Sequence, residues 1–100
     1  MAKRKSRRRH LGSEPELHRN KAHHAFEDSA HHASLSRMAA GKGRCAAALE
    51  ELVTAAGALE EGRAHAESDG GPAHSRWETA ARRAVAGAED AVSRSCFCKR

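Results

Sequence analysis

One amphipathic pattern, between residues 43 and 67, constrains the fold of this chain more than any other feature of its sequence. Small and apolar residues recur there in alternating steps of three and four, at Cys45, Ala48, Leu52, Ala55, Leu59, Gly62 and Ala66. That period is typical of an α-helix with one buried stripe. Leu49, Val53 and Ala56 widen the stripe enough to contact two neighbouring helices. Residues 44 to 67 are therefore predicted to form the central helix of a bundle, with four large side chains buried: Leu49, Leu52, Val53 and Leu59.

A first helix is predicted to precede it, from about residue 14 to residue 40. Ser13-Glu14-Pro15-Glu16 has the pattern of a capping box, with a proline in the first turn, where no helical donor is lost. Gly41-Lys42-Gly43 then supplies a left-handed cap. The turn is so short that the next helix is expected to return antiparallel to the first.

A third helix is predicted from about residue 73 to residue 94, after a loop at residues 68 to 72. Trp77 is the largest apolar side chain available and is expected to be buried at the far end of the bundle. The sequence thus predicts an all-α fold, a small antiparallel three-helix bundle over residues 13 to 95. A basic arm at residues 1 to 12 precedes the bundle, and a cysteine-containing tail at residues 96 to 100 follows it.

Alanine supplies most of the apolar content, which limits the size of the core. The chain has 22 alanines, whereas leucine, valine and phenylalanine together number 11 and isoleucine is absent. So few large apolar side chains are typical of disordered chains, but the helical period and the high helix propensity of alanine favour closely packed helices. A bundle of marginal stability satisfies both observations. A homo-oligomer or a larger assembly would add stability to it.

The positive charge of the chain is concentrated at its start. The first ten residues contain no acid and six cationic side chains: Lys3, Arg4, Lys5, Arg7, Arg8 and Arg9. The remaining ninety residues hold 12 basic and 13 acidic side chains, so the body is close to neutral overall. Because like charges repel and the segment has no apolar period, the arm is expected to be disordered in the free protein.

Three interpretations of this arm stay open. It is a phosphate-binding arm for DNA or RNA, a solubilising tail, or a nuclear-localisation signal if the host is a eukaryote. We favour nucleic acid, bound without sequence preference, because the body offers no aromatic stacking platform and no recognition helix. Removal of residues 2 to 9 is then expected to abolish binding and to leave the helix content unchanged.

Several classes of protein are disfavoured by what the sequence lacks. No apolar run follows the basic start, and no stretch is long enough to span a membrane, so a cytoplasmic protein without membrane contacts is expected. No glycine-rich phosphate loop follows a strand, and no paired nucleophile and base stand out. The chain is therefore predicted not to be an enzyme.

The three cysteines predict a convergence of thiols. An odd number of cysteines without a secretory signal favours reduced thiols and no disulfide needed for folding. Antiparallel helices of matched length would return Cys96 and Cys98 to the end where Cys45 lies, as a candidate redox site or a metal site for zinc, with His32 or a histidine from another chain as the fourth ligand. The alternative is that Cys45 is simply a small core residue. No other cofactor is expected.

Five of the eight histidines fall on the first predicted helix. His23, Glu27 and His31 are spaced at i, i+4 and i+8, and His24, Asp28 and His32 repeat this spacing one position later. Two imidazoles at i and i+4 suit a metal, but one straight helix cannot close a four-ligand site. A solvated face with histidine–carboxylate contacts is the favoured interpretation.

Two short segments carry a resemblance to a known group of proteins. Arg7-Arg8-Arg9-His10-Leu11-Gly12-Ser13 leads into a helix rich in histidine, and Gly43-Arg44-Cys45 precedes Ala48, Leu52 and Ala55. Over roughly residues 7 to 66 the chain resembles small helical proteins of unassigned function encoded by tailed bacteriophages. The resemblance implies a phage origin and a helical hairpin, and it transfers no catalytic or binding residues.

Two functions therefore remain. The first is a nucleic-acid-binding protein that uses its cationic arm, in the host cytoplasm or associated with a virion. The second is a structural or interaction protein that docks on a virion or a host protein assembly, with the arm against an acidic protein surface.

Overall fold

The computed structural model describes residues 14 to 69 and 75 to 97, which form helices and short turns without a strand. Helix α1 spans Glu14–Gly41, α2 spans Cys45–Asp69 and α3 spans Ser75–Val92. A π-helical turn, Ser93–Phe97, continues α3. The predicted all-α, three-helix fold is confirmed, and each predicted helix boundary lies within two residues of the observed one. The residues outside the described ranges are the arm at 1 to 12, Ser13, residues 70 to 74 and residues 98 to 100. The predicted loop at 68 to 72 falls partly among them, but its first two residues, Ser68 and Asp69, belong to α2.

The cysteine-containing tail differs from its prediction because Cys96 and Phe97 belong to the π-helical turn. Helical backbone therefore reaches past the predicted end of the third helix. Among the helices described, none is both long enough and apolar enough to cross a membrane.

Helix α1, and not the predicted α2, is the central element of the core. Its buried side chains follow a heptad pattern and include the largest fully buried group, Phe26. The stripe consists of Ala22, Phe26, Ser29, Ala33, Ser36 and Ala40, and Ala25 beside it is also buried. This stripe contacts buried residues of both α2 and α3.

The broad apolar arc of α2 is only partly covered, which corrects the burial prediction. Val53 is 71% exposed and Leu49 is 37% exposed, whereas Leu52 and Leu59 are half-buried against the core. The side of α2 that faces α1 is the seam of small residues containing Ala48. Val53 lies about 140° around the helix from Ala48 and so faces away from that seam.

Two buried serines of α1 form hydrogen bonds to the backbone of α2. The Ser29 hydroxyl donates a hydrogen bond to the Ala55 carbonyl at 2.8 Å, and the Ser36 hydroxyl donates to the Ala48 carbonyl at 2.7 Å. Both serines are fully buried, so these bonds satisfy groups that would otherwise be costly to desolvate. Ser36 follows Ser29 in α1, but its partner Ala48 precedes Ala55 in α2, so the two helices are antiparallel.

The turn between α1 and α2 is a Schellman motif centred on Gly43. The Arg44 amide donates to the Ala39 carbonyl at 2.9 Å, and the Gly43 amide donates to the Ala40 carbonyl at 3.0 Å. Gly43 has a φ of 76°, which glycine adopts without steric cost. The predicted left-handed cap is confirmed at this residue.

Helix α3 packs alongside α1 through small and β-branched residues. Ala81 contacts Ala22 and Phe26, whereas Val92 contacts Ala40 near the other end. Earlier residues of α3 contact earlier residues of α1, and later residues contact later ones, so the two helices are parallel.

Trp77 is 39% exposed and does not anchor the core as predicted. It lies in the first turn of α3, where its ring packs against His23 with the two ring centroids 5.0 Å apart. Ala81, one turn later, occupies the position that faces Phe26. The bulk of the indole therefore lies at the edge of the interface.

Gly62→Ala is expected to destabilise the bundle by about 1 to 3 kcal/mol, because it overpacks the contact between Gly62 of α2 and the Phe26 ring of α1. A Cβ atom at Gly62 would lie 2.6 Å from Cε1 of Phe26, whose ring is 1% exposed and cannot swing into solvent. Gly57 is the matched control, since a Cβ atom there meets nothing within 4 Å. Gly57→Ala should stabilise the helix by about 0.5 to 1 kcal/mol. Urea unfolding followed by circular dichroism measures both, and equal stabilisation by the two variants would contradict this packing.

Candidate nucleic-acid interface

The six cationic residues predicted to bind phosphates all lie outside the described residues. These are Lys3, Arg4, Lys5, Arg7, Arg8 and Arg9. The structure does show the helix that follows them. Helix α1 begins at Glu14, and Phe26, three turns later, lies against Gly62 in the second half of α2. The opposite end of α1 lies beside the start of α2 and the π-helical turn that follows α3.

Cys45 and Cys96 form a disulfide at that opposite end. The predicted convergence of these two residues is correct, because the antiparallel α2 and α3 bring their Cα atoms to 5.8 Å, a usual separation for a disulfide. The prediction of reduced thiols is wrong for this pair. Cys98 lies outside the described residues.

The predicted zinc site is not assembled. The sulfur atoms of Cys45 and Cys96 are bonded to each other and are not free thiolates. Nδ1 of His32 lies 2.6 Å from Oε1 of Glu51, so this imidazole contacts a carboxylate of α2 instead of the cysteines. Within residues 14 to 69 and 75 to 97, no three His, Cys, Asp or Glu side chains are placed to hold a metal ion.

The two histidine trios are divided among different surroundings. His23 packs on Trp77, His32 contacts Glu51, and the exposed ring of His31 meets the ring of His32 edge-on at 5.3 Å. His24 and Asp28 line a shallow groove beside Glu61 and His65 of α2. The contact of His32 with Glu51 is of the histidine–carboxylate kind that was favoured, whereas His23 is partly buried against Trp77 and not on a solvated face.

The disulfide end of the bundle carries cations, and we call it the basic pole. Its described members are Arg37, Lys42, Arg44 and Arg94, all exposed. Arg94 pairs with Asp90 at 2.7 Å. The other three have no carboxylate partner among the described residues. No acid occurs in the sequence from residue 29 to 49 or from residue 91 to 100, and the latter stretch ends with Lys99 and Arg100.

The rest of the body is acidic by comparison. Helix α2 carries one basic residue, Arg63, and six acids: Glu50, Glu51, Glu60, Glu61, Glu67 and Asp69. The net charge of the body does not reveal this separation, because the positive charge of the pole and the negative charge of α2 nearly cancel. The two long stretches without acids are the sequence signal from which the pole could have been found, once the disulfide had joined them.

A groove between α1 and α3 adjoins the basic pole. It encloses about 350 Å³ and is lined by Ser34, Arg37, Met38, Gly41, Ala91 and Ser95. The polar side chains on its wall are one guanidinium and two hydroxyls, which can donate hydrogen bonds to an anion. A phosphate group is the common biological anion that this combination suits.

Comparisons of the chain with protein-family models, curated proteins and solved structures found no match. The resemblance to small phage proteins therefore stays a prediction.

Proposed function

We propose that this protein binds nucleic acid without sequence preference, through the cationic arm that precedes α1. The observation that carries the proposal is the concentration of six cations in seven consecutive positions, with no acid before residue 14. Each phosphate that a lysine or arginine neutralises releases condensed counterions, and this gain does not depend on base sequence. The helical bundle holds the arm at one end and contributes no base-reading element. The role is one of binding and not of catalysis.

The location we propose is the host cytoplasm or a virion. A disulfide such as Cys45–Cys96 is reduced in most cytosols and persists under oxidising conditions. The bridge is therefore better suited to a particle outside the cell than to the cytoplasm.

Removing residues 2 to 9 is expected to lower the affinity for a labelled duplex by about 100-fold or more at low salt, because up to six phosphate contacts are lost. The free energy of unfolding should stay unchanged, since the described core begins with α1. Fluorescence anisotropy measures the affinity, and circular dichroism measures the helix content and melting.

Arg76→Gln with Arg83→Gln is the control for a loss of positive charge from the body, since both arginines are exposed on α3 and belong to neither the arm nor the basic pole. This control should bind within a few-fold of the parent. A truncated protein that binds with the affinity and salt dependence of the full chain would refute the role of the arm.

A second candidate, an interaction protein that docks on a larger protein assembly, is favoured by one observation. Leu49 and Val53 form an exposed apolar patch on α2, beside Glu50 and Thr54. In this alternative the arm contacts an acidic protein surface. Val53→Glu would then prevent the docking of the protein on its assembly and leave duplex binding intact. Docking that is unaffected by Val53→Glu would exclude this alternative.

A further inference from the structure

We infer that the basic pole is a second phosphate-binding site, so that one molecule bridges two segments of nucleic acid. The inference rests on the proposed function, since it assigns the same class of ligand to the opposite end of the bundle. Three cations without described carboxylate partners carry it: Arg37, Lys42 and Arg44. They lie within eight residues of one another around the turn between α1 and α2.

The turn that presents these cations is held by defined contacts. The Schellman hydrogen bonds fix the backbone from Ala39 to Arg44. Cys45, which follows Arg44 directly, is bonded to Cys96. The disulfide therefore holds the π-helical turn Ser93–Phe97, which includes Arg94, close to Arg44.

The groove beside the pole supplies further donors for a phosphate. The hydroxyls of Ser34 and Ser95 line it together with the Arg37 guanidinium. Arg37 also lies across Gly87, where an added Cβ atom would be 3.9 Å from its Cδ and Nη1 atoms. A guanidinium flanked by hydroxyls can bind phosphate oxygens through several charge-assisted hydrogen bonds.

The distance between the two cationic ends favours bridging. Helix α1 has 28 residues, so the start of the helix and the pole are about 40 Å apart. Between the two ends, α2 carries Glu50, Glu51, Glu60 and Glu61, whose negative charges oppose the binding of a polyphosphate backbone along that helix. A duplex bound by the arm is therefore not expected to follow α2 to the pole, and the pole remains available for a second segment.

The test uses the full chain and two short duplexes of unrelated sequence. One duplex is immobilised on beads, the protein is added, and capture of the second, fluorescent duplex is measured. The parent should capture the second duplex. The triple variant Arg37→Gln, Lys42→Gln, Arg44→Gln should still bind the first duplex through its arm and should capture the second at least 10-fold less. The double variant Arg76→Gln, Arg83→Gln is the control and should capture it normally.

The same variants separate the inference from the function on which it rests. An arm-deleted protein should keep weaker duplex binding, in contrast to the complete loss expected from the arm alone, and the triple variant in that background should lose it. If the parent binds the first duplex but captures no second one, or if the triple variant captures it as well as the parent does, the inference is wrong and the proposed function stands. If the parent binds no duplex at low salt, both are wrong.

Discussion

Breaking the Cys45–Cys96 disulfide is expected to lower the free energy of unfolding by about 4 kcal/mol. The bond joins residues 51 positions apart and so restricts a large part of the unfolded chain. A loss of this size is a large share of the stability of a small domain, about 5 to 15 kcal/mol, and this core consists mostly of alanine. The reduced protein should be largely unfolded at a temperature where the oxidised one is folded.

Thermal and urea unfolding with and without a dithiol reductant measure this loss. The double variant Cys45→Ser, Cys96→Ser should behave like the reduced protein, and Cys98→Ser should behave like the oxidised parent. If the reduced and oxidised proteins unfold at the same urea concentration, the bridge does not support the fold. The sequence-based expectation that folding needs no disulfide would then be correct after all.

Phe26→Ala is expected to destabilise the bundle by about 3 to 5 kcal/mol, through lost burial and the cavity left behind. Phe26 is the largest fully buried side chain, and it packs with Ala22 of α1 and Ala81 of α3 while its ring lies against Gly62 of α2. Ala22, Ala81 and Gly62 are too small to fill the space, and Leu59 is the larger side chain of α2 that packs against the same cluster.

Phe97→Ala removes the same side chain from a position that is 67% exposed and is the matched control. It should change the stability by less than about 0.5 kcal/mol. Urea unfolding curves recorded by circular dichroism compare the two variants. Equal effects at Phe26 and Phe97 would mean that the aromatic core has been assigned to the wrong place.

Local signals in the sequence were sufficient to predict the helices. The alternating steps of three and four from Cys45 to Ala66 specify α2, and Gly43 specifies where the chain reverses. The central helix could not be predicted in the same way, because the stripe of α1 consists largely of alanine and serine, which carry little hydrophobic signal. Ser29 and Ser36 are buried because they are small and can donate to carbonyls across the interface. The sequence alone does not show that such partners are available.

The candidate interface was only partly predictable for a related reason. The six cations of the arm are adjacent in sequence and need no fold to be recognised. Arg37, Lys42 and Arg44 are distant in sequence from the π-helical turn that contains Arg94. The pairing of Cys45 with Cys96 brings that turn to the same end of the bundle. Helix geometry predicted that these two cysteines would meet, but an odd count of cysteines favoured a metal or free thiols over a bond. The contact of His32 with Glu51 could not be anticipated from spacing along α1 alone.

The measurement that tests the central claim most directly is the salt dependence of duplex binding by the full chain, on two duplexes of unrelated sequence. The six cations of the arm engage at most about six phosphates, so in the Arg37→Gln, Lys42→Gln, Arg44→Gln variant, which keeps the arm and lacks the cations of the pole, the log of the affinity should fall with the log of the salt concentration with a slope no steeper than about −5. The two duplexes should bind with nearly equal affinity. Absence of binding even at low salt, or an affinity that hardly responds to salt, would contradict nucleic-acid binding through the cationic arm.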